Sequence, residues 1–268
     1  MSKRDYNPEE YCAWVSNEYS LWDAALTECL SEETFENFRK EYRVERMLEM
    51  QELYSEPFIL KTRDLIVPWR KIEAIDNIGN PNNKIDIKIK VNEFKISCTF
   101  LRYVYYANKI LNTLKDNKDI RIVEIGGGYG GFCAIMHLLA RFRNITIAKY
   151  DIYDLSEAQK LQRKYLGITM AKSPFGIQNI AFLDSNNIEG YNCQHNFCIS
   201  FYALGEFATP IKNKYIDSVV SKTEHGFILW NPYEEDKEGE NLLKQYHPNL
   251  QITEEDPLTG PNNLEIIF

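Results

Sequence analysis

The sequence predicts an α/β protein in which a doubly wound sheet follows an N-terminal, mostly helical cap. Short apolar segments alternate with amphipathic ones from Ile120 to the end of the 268-residue chain, a pattern typical of a sheet with helices on both faces. A glycine-rich turn, 126–131, links the first of these strands to the first helix. Residues 1–95 instead carry aromatic side chains at helical spacing. We therefore divide the chain into a cap, 1–95, and an α/β domain, 96–268.

The cap is predicted to be helical from Pro8 to Tyr54, because large aromatic and aliphatic residues recur there at helical spacing. Ser31 precedes two glutamates and is typical of a helix N-cap, since its side chain can accept a hydrogen bond from the first turn. Pro57, Pro68 and the turn-forming residues in 76–83 are then expected to break the regular structure. Alternation in 85–91 predicts an edge strand or hairpin arm, and 99–114 is predicted to be a helix leading into the next domain.

The α/β domain is predicted to contain five strands with helices between them, and a terminal antiparallel pair. In an open sheet of this kind, ligands bind beyond the carboxyl ends of the strands. Functional residues are therefore expected just after each strand. The predicted strands are 120–125, 145–153, 177–183, 196–202 and 226–231, the helices are 132–140, 156–166, 210–221 and a segment that ends near 246, and the terminal pair is 250–253 with 264–268.

Composition limits the classes of function. The chain has 31 Lys and Arg against 39 Asp and Glu, a formal net charge of −8, which argues against nucleic acid or an anionic membrane as a partner. No signal peptide is recognisable, and no apolar stretch approaches the ~18 residues of a membrane span.

The six cysteines lack a C-x-x-C pair and the four histidines are dispersed, so no metal site is predicted. We expect a cytoplasmic enzyme with reduced cysteines; its oligomeric state, including a homo-oligomer, is left open.

The segment that follows the first strand fits two nucleotide-binding patterns. Gly126, Gly128 and Gly131 satisfy G-x-G-x-x-G, which is typical of dinucleotide sites. Glu124 with Gly126, Gly128 and Gly130 gives E-x-G-x-G-x-G, which is typical of S-adenosylmethionine (SAM) methyltransferases. Glu124 favours the second pattern, because a carboxylate at the end of the strand can receive a cationic amino group. The predicted cofactor is SAM; an NAD(P)-dependent oxidoreductase and a non-catalytic, methyltransferase-like binding scaffold are the alternatives.

Two further acidic positions are candidates for cofactor binding. Asp154 follows the second strand, where a carboxylate can accept both hydroxyls of a ribose. Asp151 competes for this role, and Asp154 also resembles a helix N-cap. Asp184 and Ser185 end the third strand, where adenine is commonly bound, although the same residues are typical of an ordinary turn.

Candidates for the chemical step follow the fourth and fifth strands. Methylation of a hydroxyl requires in-line attack on the methyl group and a base that takes the proton. Glu206 is the candidate base, and Tyr202 is expected to orient the acceptor hydroxyl or to line the cofactor. Asn231 is expected to contact the substrate. His225 is a weaker candidate for the base, because it precedes its strand and so lies at the opposite end of the sheet.

Several segments together resemble one family, the sugar O-methyltransferases of polysaccharide-building gene clusters. The glycine motif, 124–131, is very similar to the motif of that family, and 150–157 resembles its second-strand signature. The resemblance covers residues 95–268, while the N-terminal third agrees only in its helical, aromatic character. Further segments that resemble the family are Leu101-Arg102-Tyr103, Tyr202 to Glu206, Thr259-Gly260 and Asn262-Asn263.

The resemblance implies a Rossmann-like methyltransferase sheet whose N-terminal cap forms a lid or wall of the acceptor site. It places Asp154 at the acidic position of the family, and it implies that Tyr129 and Arg102 join the cofactor-binding residues. The acceptor that it implies is a hydroxyl of a sugar, nucleotide-sugar or glycan in polysaccharide biosynthesis. The acceptor itself and the position methylated are left open.

Overall fold

The cap is built from short helices. A computed structural model describes residues 20–115, 117, 119–172, 179–185, 188, 195–231 and 237–268; the part of the predicted helical pattern before residue 20 lies outside this range. Ser31 is an N-cap as predicted, since its hydroxyl accepts a hydrogen bond from the Thr34 amide at 3.1 Å. The helices of the cap are α1 (Ser20–Glu28), α2 (Glu32–Phe35), α3 (Tyr42–Leu48), α4 (Ser55–Thr62) and α5 (Trp69–Asp76), with 3₁₀ turns at Phe38–Lys40 and Glu52–Tyr54. The expected break at Pro57 is wrong, because Pro57 lies in the first turn of α4, a position at which proline is tolerated. Pro68 lies in the break between α4 and α5, as the N-cap of α5.

A β-hairpin separates these helices from the α/β domain. Strands β1 (Lys84–Ile89) and β2 (Asn92–Ser97) pair antiparallel, with Ile89 opposite Asn92, so the predicted hairpin arm is confirmed. Helix α6 (Cys98–Leu114) follows at once. Ser97 is its N-cap and accepts a hydrogen bond from the Phe100 amide at 3.2 Å, which explains why the chain turns from strand to helix without a loop.

The α/β domain contains a seven-stranded, mostly parallel sheet, which confirms the predicted fold class. The strands are β3 (Ile120–Ile125), β4 (Ile147–Asp154), β5 (Ile180–Asp184), β6 (Phe197–Phe201), β7 (His225–Trp230), β8 (Gln251–Glu254) and β9 (Leu264–Ile267), and the helices are α7 (Gly131–Phe142), α8 (Ser156–Lys172), α9 (Ala203–Glu206), α10 (Thr209–Ser218) and α11 (Lys237–Tyr246). The order of the strands across the sheet is β5-β4-β3-β6-β7-β9-β8, with β9 antiparallel to both of its neighbours. Because β3 has β4 on one side and β6 on the other, the strand order reverses beside it, and this reversal opens a crevice at the carboxyl ends of the strands.

Element boundaries differ from the prediction by a few residues. The fourth strand ends at Phe201 rather than at Tyr202, because Tyr202 has a φ of 68° and leaves the extended conformation. His225 is the first residue of β7 rather than its predecessor. It therefore lies at the amino end of that strand, away from the edge at which ligands of such sheets bind.

Apolar residues fill both faces of the sheet. Along β3, Ile122 lies in the core that includes the cap, whereas Val123 lies in the core under α10 and α11, as the alternation of side chains along a strand requires. Phe38 and Ile72 of the cap belong to the same core as Ile122. The cap therefore packs on the sheet, while the division of the chain at residue 95 stays a prediction. Within the described ranges, no helix is both long and apolar enough to cross a membrane.

Candidate functional site

The glycine-rich turn after β3 forms the centre of the candidate site. Gly126, Gly128 and Gly130 have φ values of 76°, 54° and 91°, in a region that glycine adopts without strain. Gly126 also lies close to the start of α9, since a Cβ on it would approach the Cβ of Ala203 to 2.2 Å. Gly130 is the N-cap of α7. The turn therefore brings peptide backbone, without a Cβ at positions 126, 128 and 130, to the N-terminal end of a helix.

Glu124 lies buried beneath this turn. Its side chain points to the same face of the sheet as Tyr150, whose hydroxyl donates a hydrogen bond to Oε2 at 2.8 Å, and the residue is only 3% exposed. Burial raises the pKa of Glu124 to about 8, although the hydrogen bond from Tyr150 acts in the opposite direction. A cationic group next to this carboxylate would favour its ionised form, which is the chemistry predicted for it from the sequence.

Asp154 ends β4 directly beside the turn. Hydrogen bonds from the backbone amides of Gly127 and Gly128 reach its carboxylate, and Gln162 Nε2 donates to Oδ2 at 2.8 Å. Burial nevertheless raises the pKa of Asp154 to about 6. Gln162 also donates to the Gly128 carbonyl at 2.9 Å. The carboxylate therefore fixes the shape of the turn, and its role toward a ribose stays a prediction.

Asp151, the alternative to Asp154, lies elsewhere. It is fully buried in the middle of β4, next to Val123 of β3. Its Oδ2 lies 2.8 Å from Lys149 Nζ and 3.1 Å from His195 Nε2. Because successive side chains of a strand alternate between faces, Asp151 points away from the face on which Glu124 and Tyr150 meet.

The predicted chemical residues meet at the ends of β6 and β7. Asn231 Nδ2 donates a hydrogen bond to Glu206 Oε1 at 2.7 Å. Burial raises the pKa of Glu206 above its ordinary value, although this hydrogen bond lowers it. The backbone of α9 is fixed by Ser200, whose hydroxyl donates to the Ile125 carbonyl at 3.0 Å and accepts from the Leu204 amide at 3.1 Å. Glu206 thus lies on a short helix that is tied to the end of β3.

Tyr202 is held by groups from the end of the chain. Its hydroxyl donates a hydrogen bond to Glu255 Oε1 and lies 2.9 Å from Thr259 Oγ1. Glu255 also accepts from Tyr106 at 3.1 Å and from Asn263 Nδ2 at 2.9 Å. The phenol is therefore engaged within the protein, whereas the predicted role was to orient an acceptor hydroxyl or to line the cofactor. The strained φ of Tyr202 is maintained by these contacts.

Arg102 lies above the ring of Tyr202. Its guanidinium carbon is 5.4 Å from the ring centroid of Tyr202 and 5.6 Å from that of Tyr103. Among the described residues, no hydrogen-bond partner reaches its buried Nε atom. Burial lowers the pKa of Arg102, but the neighbouring tyrosines and Glu255 outweigh this effect and raise the pKa above its ordinary value. The side chain is therefore a cation with an unused donor, which suits an anionic group.

A segment of the cap covers the glycine turn. A Cβ on Gly128 would lie 3.4 Å from Cδ2 of Leu48, at the end of α3. The next residue, Glu49, accepts two hydrogen bonds from the buried Arg39, at 2.6 and 2.9 Å. The Arg39 guanidinium also stacks 5.0 Å from the ring centroid of Tyr129. Arg39 therefore fastens the cap to the glycine turn.

The remaining residues predicted to bind the cofactor are Tyr129, Asp184 and Ser185, and they lie in two different places. Tyr129 is buried, packs on Arg39 and on the ring of Tyr165, and so faces the cap; its role in cofactor binding stays a prediction. Asp184 is exposed at the end of β5, in register with Asp154, and Ser185 follows it. Both lie at the carboxyl edge of the sheet, as expected.

Sequence reasoning missed the residues that join distant parts of the site. Glu255, Gln162 and Leu48 contact predicted site residues, yet none belongs to a motif. In the sequence, the segment that contains Glu255 was indicated only by the resemblance of Thr259-Gly260 and Asn262-Asn263 to the family named above. Among the described residues, no group of three or more histidines, cysteines or carboxylates is arranged to hold a metal ion.

Comparison with protein-family models and with curated proteins gives no match. Comparison with solved structures gives matches at low identity. An O-methyltransferase family protein from Burkholderia thailandensis is 12% identical, with a TM-score of 0.41, over 61% of this chain and 56% of that one. The chain therefore spans little more than half the length of that protein.

Two further solved structures give similar values. Magnesium protoporphyrin IX methyltransferase from Synechocystis with bound SAM is 13% identical, with a TM-score of 0.46, over 63% of this chain and 80% of that one. The CMeT domain of the citrinin polyketide synthase is 14% identical, with a TM-score of 0.46, over 62% of this chain and 52% of that one. Similarity at this level leaves the reaction and the acceptor of this chain open.

Proposed function

We propose that this protein is a SAM-dependent O-methyltransferase that acts on a hydroxyl of a sugar, nucleotide-sugar or glycan acceptor. The observation that carries the proposal is Glu124: a buried carboxylate with a pKa of about 8, placed beneath a turn whose glycines have positive φ. An amino-acid moiety with a cationic amino group would satisfy this carboxylate, whereas the nicotinamide and pyrophosphate of NAD offer it no such partner.

The residues around the turn fit the rest of such a cofactor. Gly126 and Gly128 present bare peptide backbone at the turn, because Ala203 leaves no room for a Cβ on Gly126 and both glycines have a positive φ. Arg102 offers a buried, unpartnered N–H for a carboxylate, and Asp154 lies beside the turn, where a ribose would follow. When bound, the cofactor would supply an electrophilic methyl group. The side chains of this protein would bind it through its two charged ends and its ribose.

Glu206 is the group that we propose takes the proton from the acceptor. Its raised pKa makes it a stronger base than an exposed glutamate. Asn231 holds Oε1 of the carboxylate, which leaves Oε2 for the acceptor hydroxyl. Formation of the C–O bond would be matched by cleavage of the bond between the methyl carbon and the sulfonium sulfur, which leaves S-adenosylhomocysteine. Glu206 would accept the hydroxyl proton in this step, and solvent would remove it after release of the product.

The sugar acceptor rests on the resemblance of residues 95–268 to sugar O-methyltransferases. In the same proposal, the cap, 1–95, forms a wall of the acceptor site, which agrees with the position of Leu48 over Gly128. Polysaccharide biosynthesis and a cytoplasmic location belong to the proposal as well, and the oligomeric state stays open.

Ligand-induced stabilisation tests the cofactor. S-adenosylhomocysteine at about one hundred times its Kd should stabilise the folded protein by about 2.7 kcal/mol and raise the melting temperature, while NADH should leave it unchanged. The matched pair of variants is Glu124→Gln, which should lose most of this shift, and Glu93→Gln on the exposed face of the hairpin, which should keep it. A shift with NADH alone would contradict the proposal and favour an oxidoreductase.

Incubation of the protein with SAM that carries a labelled methyl group, together with sugars, nucleotide-sugars or glycans, then tests methyl transfer to the acceptor.

A further inference from the structure

A groove lies on the cap between the β1–β2 hairpin and the segment that leads into α5. Its volume is about 420 Å³, and none of its lining residues belongs to the candidate site. Trp69 and Phe94 form an aromatic pair in its wall, with ring centroids 6.2 Å apart. The lining residues are Leu65, Ile66, Val67, Pro68, Trp69, Arg70, Lys71, Ile89, Lys90, Asn92 and Phe94.

Two apolar side chains protrude beside this groove. Val91 is 89% exposed and Ile66 is 78% exposed, the two highest values among the exposed large hydrophobic residues of the described chain. Val91 occupies the tip of the hairpin, between two residues that line the groove. Single exposed apolar residues are common on protein surfaces, but these two border the same groove: Ile66 lines it, and Val91 lies between Lys90 and Asn92, which line it.

The charge of the groove is opposite to that of the whole protein. Arg70, Lys71 and Lys90 line it, and no acidic residue does so among the described residues, although the formal net charge of the chain is −8. The acidic residues next to it in sequence, Asp64 and Glu93, are not part of the lining. An overall negative charge therefore does not describe this surface, which is suited to an anionic partner.

We propose that this surface docks the protein on an anionic lipid bilayer. Ile66 and Val91 enter the boundary between headgroups and acyl chains, and Arg70, Lys71 and Lys90 lie at the level of the phosphates. The position of Val91 favours a bilayer over a soluble ligand: Val91 protrudes from the hairpin tip and is not part of the groove lining, so a small molecule within the groove would leave it in water. This docking is independent of the proposed methyl transfer.

Co-sedimentation with lipid vesicles tests the docking. The full chain should bind vesicles of phosphatidylcholine mixed with phosphatidylglycerol, should bind vesicles of phosphatidylcholine alone far more weakly, and should be released by salt. A basic residue near an anionic surface contributes roughly five-fold in binding. The double variant Arg70→Glu, Lys71→Glu should therefore bind at least roughly twenty-fold more weakly.

The apolar contribution is tested separately. Ile66→Ser with Val91→Ser should weaken binding at every salt concentration, whereas Leu53→Ser, at an exposed position outside the groove, should bind as the unmodified protein does. Since all the altered residues are exposed, unchanged melting temperatures should show that the fold is retained.

Three results would overturn the proposal. The first is equal binding to neutral and anionic vesicles, or binding to neither. The second is a loss in Leu53→Ser as large as that in the groove variants. The third is binding of monomeric decyl phosphate, measured by the fluorescence of tryptophan, without binding of vesicles, which would make the groove a site for a soluble amphiphile.

Discussion

The hydroxyl of Tyr202 donates a hydrogen bond to the buried carboxylate of Glu255, which lies 53 residues further along the chain. This contact ties the turn after β6 to the connection between β8 and β9. Glu255 accepts from three further side chains, those of Tyr106, Thr259 and Asn263. One carboxylate therefore holds the loop from 255 to 263 against α6 and against the candidate site.

We expect Glu255→Ala to destabilise the protein by about 3–5 kcal/mol, because it leaves several buried donors without an acceptor. Glu255→Gln should cost less, since its carbonyl oxygen can still accept. Urea unfolding measures both values. The control is Glu254→Ala, at the exposed neighbouring position, which should change the free energy of unfolding by less than about 0.5 kcal/mol. Equal effects of the two alanine variants would contradict this role for Glu255.

The raised pKa of Glu124 predicts a pH-dependent stability. The pKa is about 8 in the folded protein against an ordinary value of 4.5, so the folded state favours the protonated form. This contribution to stability is complete below pH 4.5 and is lost as pH rises toward 8, at up to about 1.4 kcal/mol per pH unit. The difference in unfolding free energy between wild type and Glu124→Gln, measured from pH 5 to 8 without ligand, should follow this slope. A difference independent of pH would show that Glu124 does not titrate in this range.

The affinity for S-adenosylhomocysteine should rise with pH, whereas the contribution of Glu124 to stability falls. A cationic amino group next to Glu124 favours the ionised carboxylate, so binding of S-adenosylhomocysteine requires loss of the proton below pH 8. We expect the affinity to rise by up to about tenfold per pH unit between pH 6 and 8. Calorimetry in buffers of different ionisation enthalpy should detect the released proton. The same affinity at pH 6 and 8 would exclude Glu124 as the partner of the amino group.

If Glu206 is the base, Glu206→Gln should lower the rate of methyl transfer by about 10²–10⁴-fold with little change in cofactor affinity. The rate of the unmodified protein should rise with pH as Glu206 ionises, with a midpoint above the ordinary 4.5, because burial raises its pKa. Glu224→Gln, at an exposed position beside the amino end of β7, is the matched control and should retain full activity. Full activity of Glu206→Gln would move the role to another group.

The internal stability of the cap is tested at Arg39, because both carboxylate partners of Arg39 belong to the cap. This fully buried side chain pairs with Glu49 and Asp76, so Arg39→Ala leaves two buried carboxylates without their cation and should cost about 3–5 kcal/mol. Arg43→Ala removes partly exposed ion pairs to Glu28 and Glu41 and should cost less than about 1 kcal/mol. Urea unfolding of both variants measures the difference. A similar small effect of both would mean that the cap is held mainly by apolar packing.

The sequence by itself determined the local features of this protein. The alternation of strands and helices, the hairpin arm predicted at 85–91, the N-cap at Ser31 and the glycine turn at 126–130 all depend on residues close together in the chain. Periodicity, capping and the conformational freedom of glycine act over a few residues and can be recognised without a fold. For the same reason, the candidate residues after each strand could be assigned to one edge of the sheet.

Only the tertiary structure decided which side chains meet at that edge. Nothing local places Glu255 on Tyr202 or Leu48 over Gly128, and nothing local places β9 between β7 and β8. The raised pKa of Glu124 likewise depends on burial and on Tyr150, which comes from the neighbouring strand. These contacts join residues that are far apart in sequence, so they exist only once the sheet has formed and the cap has packed on it.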